Sequence, residues 1–285
     1  MNTQTLIEAH GLDTLVRRGG VLVVDCRFEL SDPGRGEQAW LEAHVPGAVY
    51  AHLDRDLSGP RQPALGRHPL PDDAAFSATL SRWGWRPDLD VVVYDDAHGA
   101  LAAARLWWLL RLAGQRRVAV LDGGLAAWRA AGLPLEAGPV TREPTEARVT
   151  LDRSGIVDAG EIERGLGLAS GVLLDARAAP RYRGEVEPID PAGGHVPGAL
   201  NRPFADNLDA DGRFKPRETL RAEFSALLGG RSAREAVHMC GSGVTACHNL
   251  LAMEHAGLSG SRIYAPSWSG WVSDPAHPVA TGAAP

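Results

Sequence analysis

Two apolar patterns alternate along the chain. Short runs, "VLVVD" (21–25), "VVVYD" (91–95), "VAVLD" (118–122), "VLLDA" (172–176) and "AVHMC" (236–240), are rich in β-branched residues and nearly free of polar ones until their ends. A strand with one wet face alternates apolar and polar positions, whereas a strand of a parallel sheet covered on both faces does not, so these runs predict buried parallel strands. Between them lie longer stretches with helical spacing, such as 99–113 and 244–256. Strands alternating with helices predict βαβ units and an α/β fold, each sheet mostly parallel and flanked by helices on both faces.

The pattern occurs twice. "HVPGA" stands at 44–48 and again at 195–199. "GGVLVVDCR" (19–27) resembles "SGVLLDAR" (170–177), and "VLDGGLAAW" (120–128) parallels "IYAPSWSGW" (263–271). The stretch 90–114, with "VYDDAHGALAAA", parallels 235–257, with "HMCGSGVTACHN". One pentapeptide could recur by chance. Four blocks in the same order predict two copies of one domain. The segment "AGPVTREPTEARVT" (137–150) has two prolines and no core periodicity, as a linker has. The expected organisation is a first domain over 1–137, a linker over 138–149 and a second domain over 150–285.

Length and composition agree with two soluble domains: 285 residues, 44% hydrophobic and 22% charged. The net charge of −6 carries no basic excess, so no nucleic-acid partner is expected. No window approaches the roughly 20 apolar residues of a membrane span. "RLWWLLRLAG" (105–114) is too short and is bracketed by arginines, so no membrane partner is expected. The first dozen residues lack a basic start and an apolar centre. That predicts no secretory signal and a cytoplasmic chain with reduced thiols. A monomer is the default.

Three cysteines are present, Cys26, Cys240 and Cys247, without CxxC or paired Cys/His spacing. No metal site is therefore expected. Cys240 is the candidate for chemistry. It ends a predicted strand, where ligands bind in open α/β sheets. Gly241, Ser242, Gly243, Val244 and Thr245 then turn the chain into a helix. Two glycines permit a tight loop whose N–H groups converge, and the helix N-terminus adds partial positive charge. A thiolate held there is stabilised and suits covalent catalysis. Cys26 aligns with Ala176 in the other copy and is expected to be packing; Cys247, on the helix, is expected to be the same. Asp95 aligns with Cys240 and is expected to cap the following helix, so one copy carries chemistry and the other supports it.

Spacing removes several alternatives. A tyrosine-phosphatase loop needs arginine six residues after the cysteine, and Ala246 stands there. A P-loop needs Gly-Lys before Ser/Thr, and a nucleophile elbow needs G-x-S-x-G; neither fits 240–245. His248 and His255 lie downstream on the helix with no evident route to Cys240.

Taken together, "CGSGVT" (240–245), the paired "HVPGA", "DGGLAAW" and "SWSGW" resemble the two-domain rhodanese-type sulfurtransferases, and the loop resembles that of the 3-mercaptopyruvate branch. The resemblance covers nearly the whole chain and implies tandem rhodanese-like domains. It implies that Cys240 takes sulfur from a small anionic donor, 3-mercaptopyruvate or thiosulfate, as a persulfide. An acceptor such as cyanide, a thiol or thioredoxin then removes it. No metal or organic cofactor is implied. The N–H groups of 241–245 would cradle the outer sulfur, and Ser242 would help the departing enolate or sulfite. The resemblance assigns Arg181, in "RYRGEVEP" (181–188), to the donor's anionic group, and leaves Arg183 on the surface. One feature departs from the mercaptopyruvate pattern: where a second arginine follows in that branch, Ile189 and Asp190 stand here. Thiosulfate as the donor stays open, as does a persulfide carrier with little turnover on small acceptors. His44 and His195 are expected to brace the "HVPGA" turns.

Overall fold

The computed structural model describes residues 5–165 and 171–285; Ser170, which opens the second "SGVLLDAR" block, lies outside them. The first sheet contains β1 (Leu6–Ile7), β2 (Val21–Asp25), β3 (Val49–Tyr50), β4 (Asp90–Tyr94) and β5 (Val118–Leu121). Their spatial order is β1-β5-β4-β2-β3 and every ladder is parallel. The second sheet contains β6 (Val172–Asp175), β7 (Leu200–Asn201), β8 (Ala236–Met239) and β9 (Arg262–Ile263), in the order β7-β6-β8-β9 and again parallel. This is the order β3-β2-β4-β5 of the first sheet. A parallel bridge from Ile156 to Ile263 takes the place that β1 takes on β5.

All five β2 residues are buried, as are all four of β8. This is why their sequences run apolar without alternation. In the first core, Leu12 of the helix Ala9–Arg18 and Leu125 and Trp128 of the helix Gly124–Ala130 pack with Val21, Val23, Val92 and Tyr94. In the second, Trp268 and Trp271 pack with Val237, Met239, Tyr182 and Val196.

The chain forms two compact units that do not follow sequence order. The first takes the chain up to Gly59 together with Leu70–Asp152 and Ala210–Arg213; the second takes Pro60–Pro69, Arg153–Asp209 and Phe214–Pro285. Sequence order had put 60–69 with the first domain and 210–213 with the second. The segment expected as a linker runs extended along the helix Asp73–Arg82 of the first unit, with Ala147 and Val149 N–H donating to Ser81 and Ser77 Oγ at 3.0 Å each.

The repeated strand-end motifs have a shared physical cause. Asp175 accepts from the backbone N–H and the guanidinium of Arg177, whose Nη2 also donates to Gly194 O at 2.6 Å, just before "HVPGA". Asp25 and Arg27 repeat the arrangement, with Ala43 O in the same role at 2.6 Å. These ion pairs are fully buried, and breaking one partner leaves an uncompensated charge. His195 then stacks on Tyr182 and its Nδ1 lies 2.9 Å from Tyr182 O; His44 Nδ1 lies 2.7 Å from Trp40 O. Both histidines brace turns.

Candidate active site

Cys240 sits one residue past β8 and opens the loop that ends at the helix Ala246–His255. Its side chain is buried against Ala176, Ala246 and Phe204. Gly243 N–H donates to its Sγ at 3.1 Å. Gly243 has φ +77°, and a Cβ there would run into the carbonyl oxygen of Ala265, so the position requires glycine. Val244 is buried, and Thr245, half-buried, is the helix N-cap.

The "SWSGW" segment holds this loop by its backbone. Cys240 N–H donates to Ser267 Oγ at 3.0 Å; Cys240 O and Gly241 O accept from Trp268 and Ser269 N–H at 2.9 Å each. Ser267 itself takes φ +53° to do so.

Cations gather beside Gly241. A Cβ built there would lie 3.4 Å from Arg67 Nη2 and 3.5 Å from Arg181 Nη1. Asp190 joins the two arginines, accepting from Arg67 Nη1 at 2.7 Å and from Arg181 Nη2 at 3.1 Å. Glu187 accepts from Arg181 at 2.7 and 3.1 Å. Burial disfavours the charge on Glu187, but Arg181 and the N–H groups of Asp190 and Ile189 outweigh it, so its carboxyl sits below the ordinary range. Ile189, by contrast, is exposed. Arg183 pairs with Glu185 on the surface.

Ser242 Oγ lies 2.8 Å from Nδ1 of His68, and both residues are buried. His238, two positions before Cys240, is pushed down to about 3 by burial and stays a neutral strand residue. His248 lies 3.2 Å from the amide of Asn207 and stacks on Phe214. Among the described residues no group of three His, Cys, Asp or Glu is placed to hold a metal. No helix among them is long and apolar enough to cross a membrane.

With this geometry in place, comparison with known proteins decides the family. The profile of the Rhodanese-like domain matches residues 8–131 and again 158–274. The chain belongs to the rhodanese family. It is 52% identical, over 99% of its length and 100% of the relative's, to a protein of Pseudomonas aeruginosa named "Probable 3-mercaptopyruvate sulfurtransferase". It is 34% identical to the thiosulfate sulfurtransferase of Bos taurus, covering 94% of this chain and 92% of that one. Among solved structures, SseA of Escherichia coli, a 3-mercaptopyruvate sulfotransferase, superposes with a TM-score of 0.79 at 30% identity, over 93% of this chain and 99% of its own. The 3-mercaptopyruvate sulfurtransferase of Leishmania major superposes at 0.82 and 30% identity, over 94% and 74%.

The two rhodanese-like domains carry the same loop with different occupants. His98 at φ +59° matches Gly243, and Gly124 at φ +58° matches Ser267. Leu125 N–H donates to Asp95 O at 3.0 Å, as Trp268 does to Cys240 O. In the first domain the Asp95 carboxylate fills the loop and accepts from the N–H groups of Ala97, Gly99, Leu101 and Ala103 at 2.7–3.2 Å. This rhodanese loop can therefore converge several N–H groups on one anion. Burial raises the Asp95 carboxyl to about 6 even so.

Arg67 and His68 were not recognised in the sequence. "LGRHPLP" (65–71) has no chemical motif, and only its packing within the second unit brings it to Gly241 and Ser242. Cys26 is fully buried, where desolvation and Asp25 raise its thiol; Cys247 is fully buried with Sγ 3.3 Å from Gly243 O.

Proposed function

We propose that this sulfurtransferase takes sulfur from 3-mercaptopyruvate, holds it as a persulfide on Cys240 and passes it to a thiophilic acceptor: cyanide, a small thiol or thioredoxin. The observation that carries the reading is the setting of the sulfur. Cys240 Sγ lies at a strand end within reach of the Gly243 N–H, and two guanidiniums flank the next residue. Relatives named for either donor align along nearly the whole chain; the higher identity, 52% to a relative named for 3-mercaptopyruvate against 40% and 34% to relatives named for thiosulfate, favours 3-mercaptopyruvate.

The Cys240 thiolate attacks the donor sulfur. The C–S bond breaks, and its electron pair leaves as the pyruvate enolate, which takes a proton to become pyruvate. Ser242 suits the enolate oxygen. With the proton on Nδ1, His68 donates to Ser242 Oγ and leaves the hydroxyl hydrogen for the substrate. The Cys240 persulfide then sits where Asp95 sits in the first domain, in a loop of N–H donors. Arg181 takes the donor's carboxylate. The acceptor attacks the outer sulfur, the S–S bond breaks, a proton is released and the thiolate returns. No step uses a metal or organic cofactor. The second domain is catalytic and the first supports it. We place the enzyme as a monomer in the cytoplasm, where thiols stay reduced.

The test is Cys240→Ser. Donor-treated wild type should carry one added sulfur on the Cys240 peptide by mass spectrometry, and the variant none, with cyanide-dependent turnover lost. A serine variant with full activity would end the reading. Loading without turnover on cyanide or dithiothreitol would replace it with a sulfur carrier.

A further inference from the structure

We propose that the first rhodanese-like domain has a ligand site of its own: a cavity of about 420 Å³, lined by Arg27, Phe28, Ala39, Asp96 and Arg129 among others, that takes an apolar α-amino acid. The cavity lies within the first unit, outside the carboxyl ends of β2 and β4, where open α/β sheets bind ligands. It uses none of the residues assigned above to sulfur transfer.

The two copies differ at one nitrogen. In each, the strand-end arginine spends Nε and Nη2 on the aspartate two residues earlier and on a carbonyl. In the second domain the third nitrogen, Arg177 Nη1, faces Glu187 Oε2 at 3.6 Å. Glu187 arrives there on a long loop. His195 Nδ1 lies against Tyr182 O, thirteen positions earlier, and Tyr182 Oη donates to Ala199 O. In the first domain His44 Nδ1 lies against Trp40 O, only four positions earlier, and Trp40 Nε1 donates to Ala48 O. That shorter loop carries no counterpart of Glu187. The Arg27 side chain is 4% exposed, and among the described residues its Nη1 makes no hydrogen bond. A buried guanidinium nitrogen is thus left for a carboxylate from outside the chain.

The remaining charges select the rest of the ligand. Arg129 is exposed, and among the described residues its guanidinium has no hydrogen bond or ion pair. It is a second cation for the same carboxylate, whereas Arg35 is held by Glu42 at 3.3 Å. Asp96 is also exposed and, among the described residues, its carboxylate has no hydrogen bond or ion pair. Glu29 stands at the same cavity. A dianion would meet both acids. A zwitterion puts its carboxylate on the arginines and its ammonium on Asp96. Phe28, 5% exposed, and Ala39 offer an apolar wall to the side chain. The wall is fixed at Gly36 of the helix Arg35–Glu42, where a Cβ would run into Arg27 O and Tyr50 Oη.

The experiment titrates the full chain with L-leucine by saturation-transfer NMR. Leucine carries no thiol and cannot accept sulfur from Cys240. Two analogues run beside it: 4-methylpentanoate, which lacks the ammonium, and 3-methylbutylamine, which lacks the carboxylate. L-Leucine should bind with a Kd of about 1 mM or tighter, and each analogue roughly tenfold more weakly, the scale of one lost charged contact. Arg129→Met should weaken L-leucine by a similar factor. Ala39→Leu, which fills the cavity from a half-buried helix position, should abolish binding, and Arg181→Ala should leave it unchanged. No binding at about 10 mM L-leucine overturns the proposal, as does binding that Arg129→Met and Ala39→Leu leave intact. Loss in Arg181→Ala would place the ligand beside Cys240 and overturn it too. 4-Methylpentanoate binding as tightly as L-leucine would overturn the zwitterion. Should Ala39→Leu not fold, Ala39→Met carries the same expectation.

Discussion

Nδ1 of His68 lies 2.8 Å from Oγ of Ser242, 174 residues further along the chain. Neither residue type is rare and neither neighbourhood has a hydrolase motif. The contact arises because 60–69 packs with the second rhodanese-like domain. It places a hydroxyl two residues from Cys240, where the proposed reaction would develop charge on an enolate oxygen.

That pairing predicts a donor-dependent loss. Ser242→Ala should lower kcat for 3-mercaptopyruvate by roughly a hundredfold, the scale of a lost oxyanion donor. His68→Gln should do much of the same, and the double variant little more than Ser242→Ala alone, since the two act as one unit. Thiosulfate should suffer less, because its departing sulfite spreads charge over three oxygens. Steady-state kinetics with both donors check this. Equal losses on both would assign the pair to holding the loop.

Asp190 sets the local charge. It is the acid shared by Arg67 and Arg181. Asp190→Asn should raise kcat/KM for thiosulfate, a dianion, relative to 3-mercaptopyruvate by roughly three- to tenfold, because added positive potential favours the higher charge. A ratio that stays constant would show that the carboxylate only positions the arginines.

Ser267 is fully buried and is expected to matter for stability. Ser267→Ala leaves the buried Cys240 N–H without its acceptor while the backbone stays at φ +53°. The expected cost is about 1–3 kcal/mol in urea unfolding. Ser267→Gly should lose less, because glycine relieves the left-handed backbone. The difference between the two variants measures that relief.

Asp95 predicts a pH dependence. Burial raises its carboxyl to about 6 despite four N–H partners. The folded state then binds the proton more tightly than the unfolded chain. Its contribution favours folding below pH ~4 and is lost as pH rises through about 6, a change on the order of 3 kcal/mol. Urea midpoints between pH 4 and 7 should lose part of their downward slope in Asp95→Asn. An unchanged slope would place the titration elsewhere.

Sequence and structure divide the account along the range of the forces involved. The strands were legible at 21–25, 91–95, 118–122, 172–176 and 236–240, within a residue of the observed ends, because burial on both faces leaves an unbroken apolar run. The repeat was legible because each "HVPGA" turn is bound to a strand-end Asp and Arg only about twenty residues away. The Cys240 loop stood out because its turn needs glycine at 243, a demand written in one residue. Arg67 and His68 left no such trace. An arginine or a histidine fits almost any loop, and what these two do depends on Asp190, Gly241 and Ser242 far along the chain. Local patterns thus determined the strands, the repeat and the glycine-bearing loop after Cys240. Only the tertiary packing of a ten-residue segment, Pro60–Pro69, decided which charges and which hydroxyl partner stand around it.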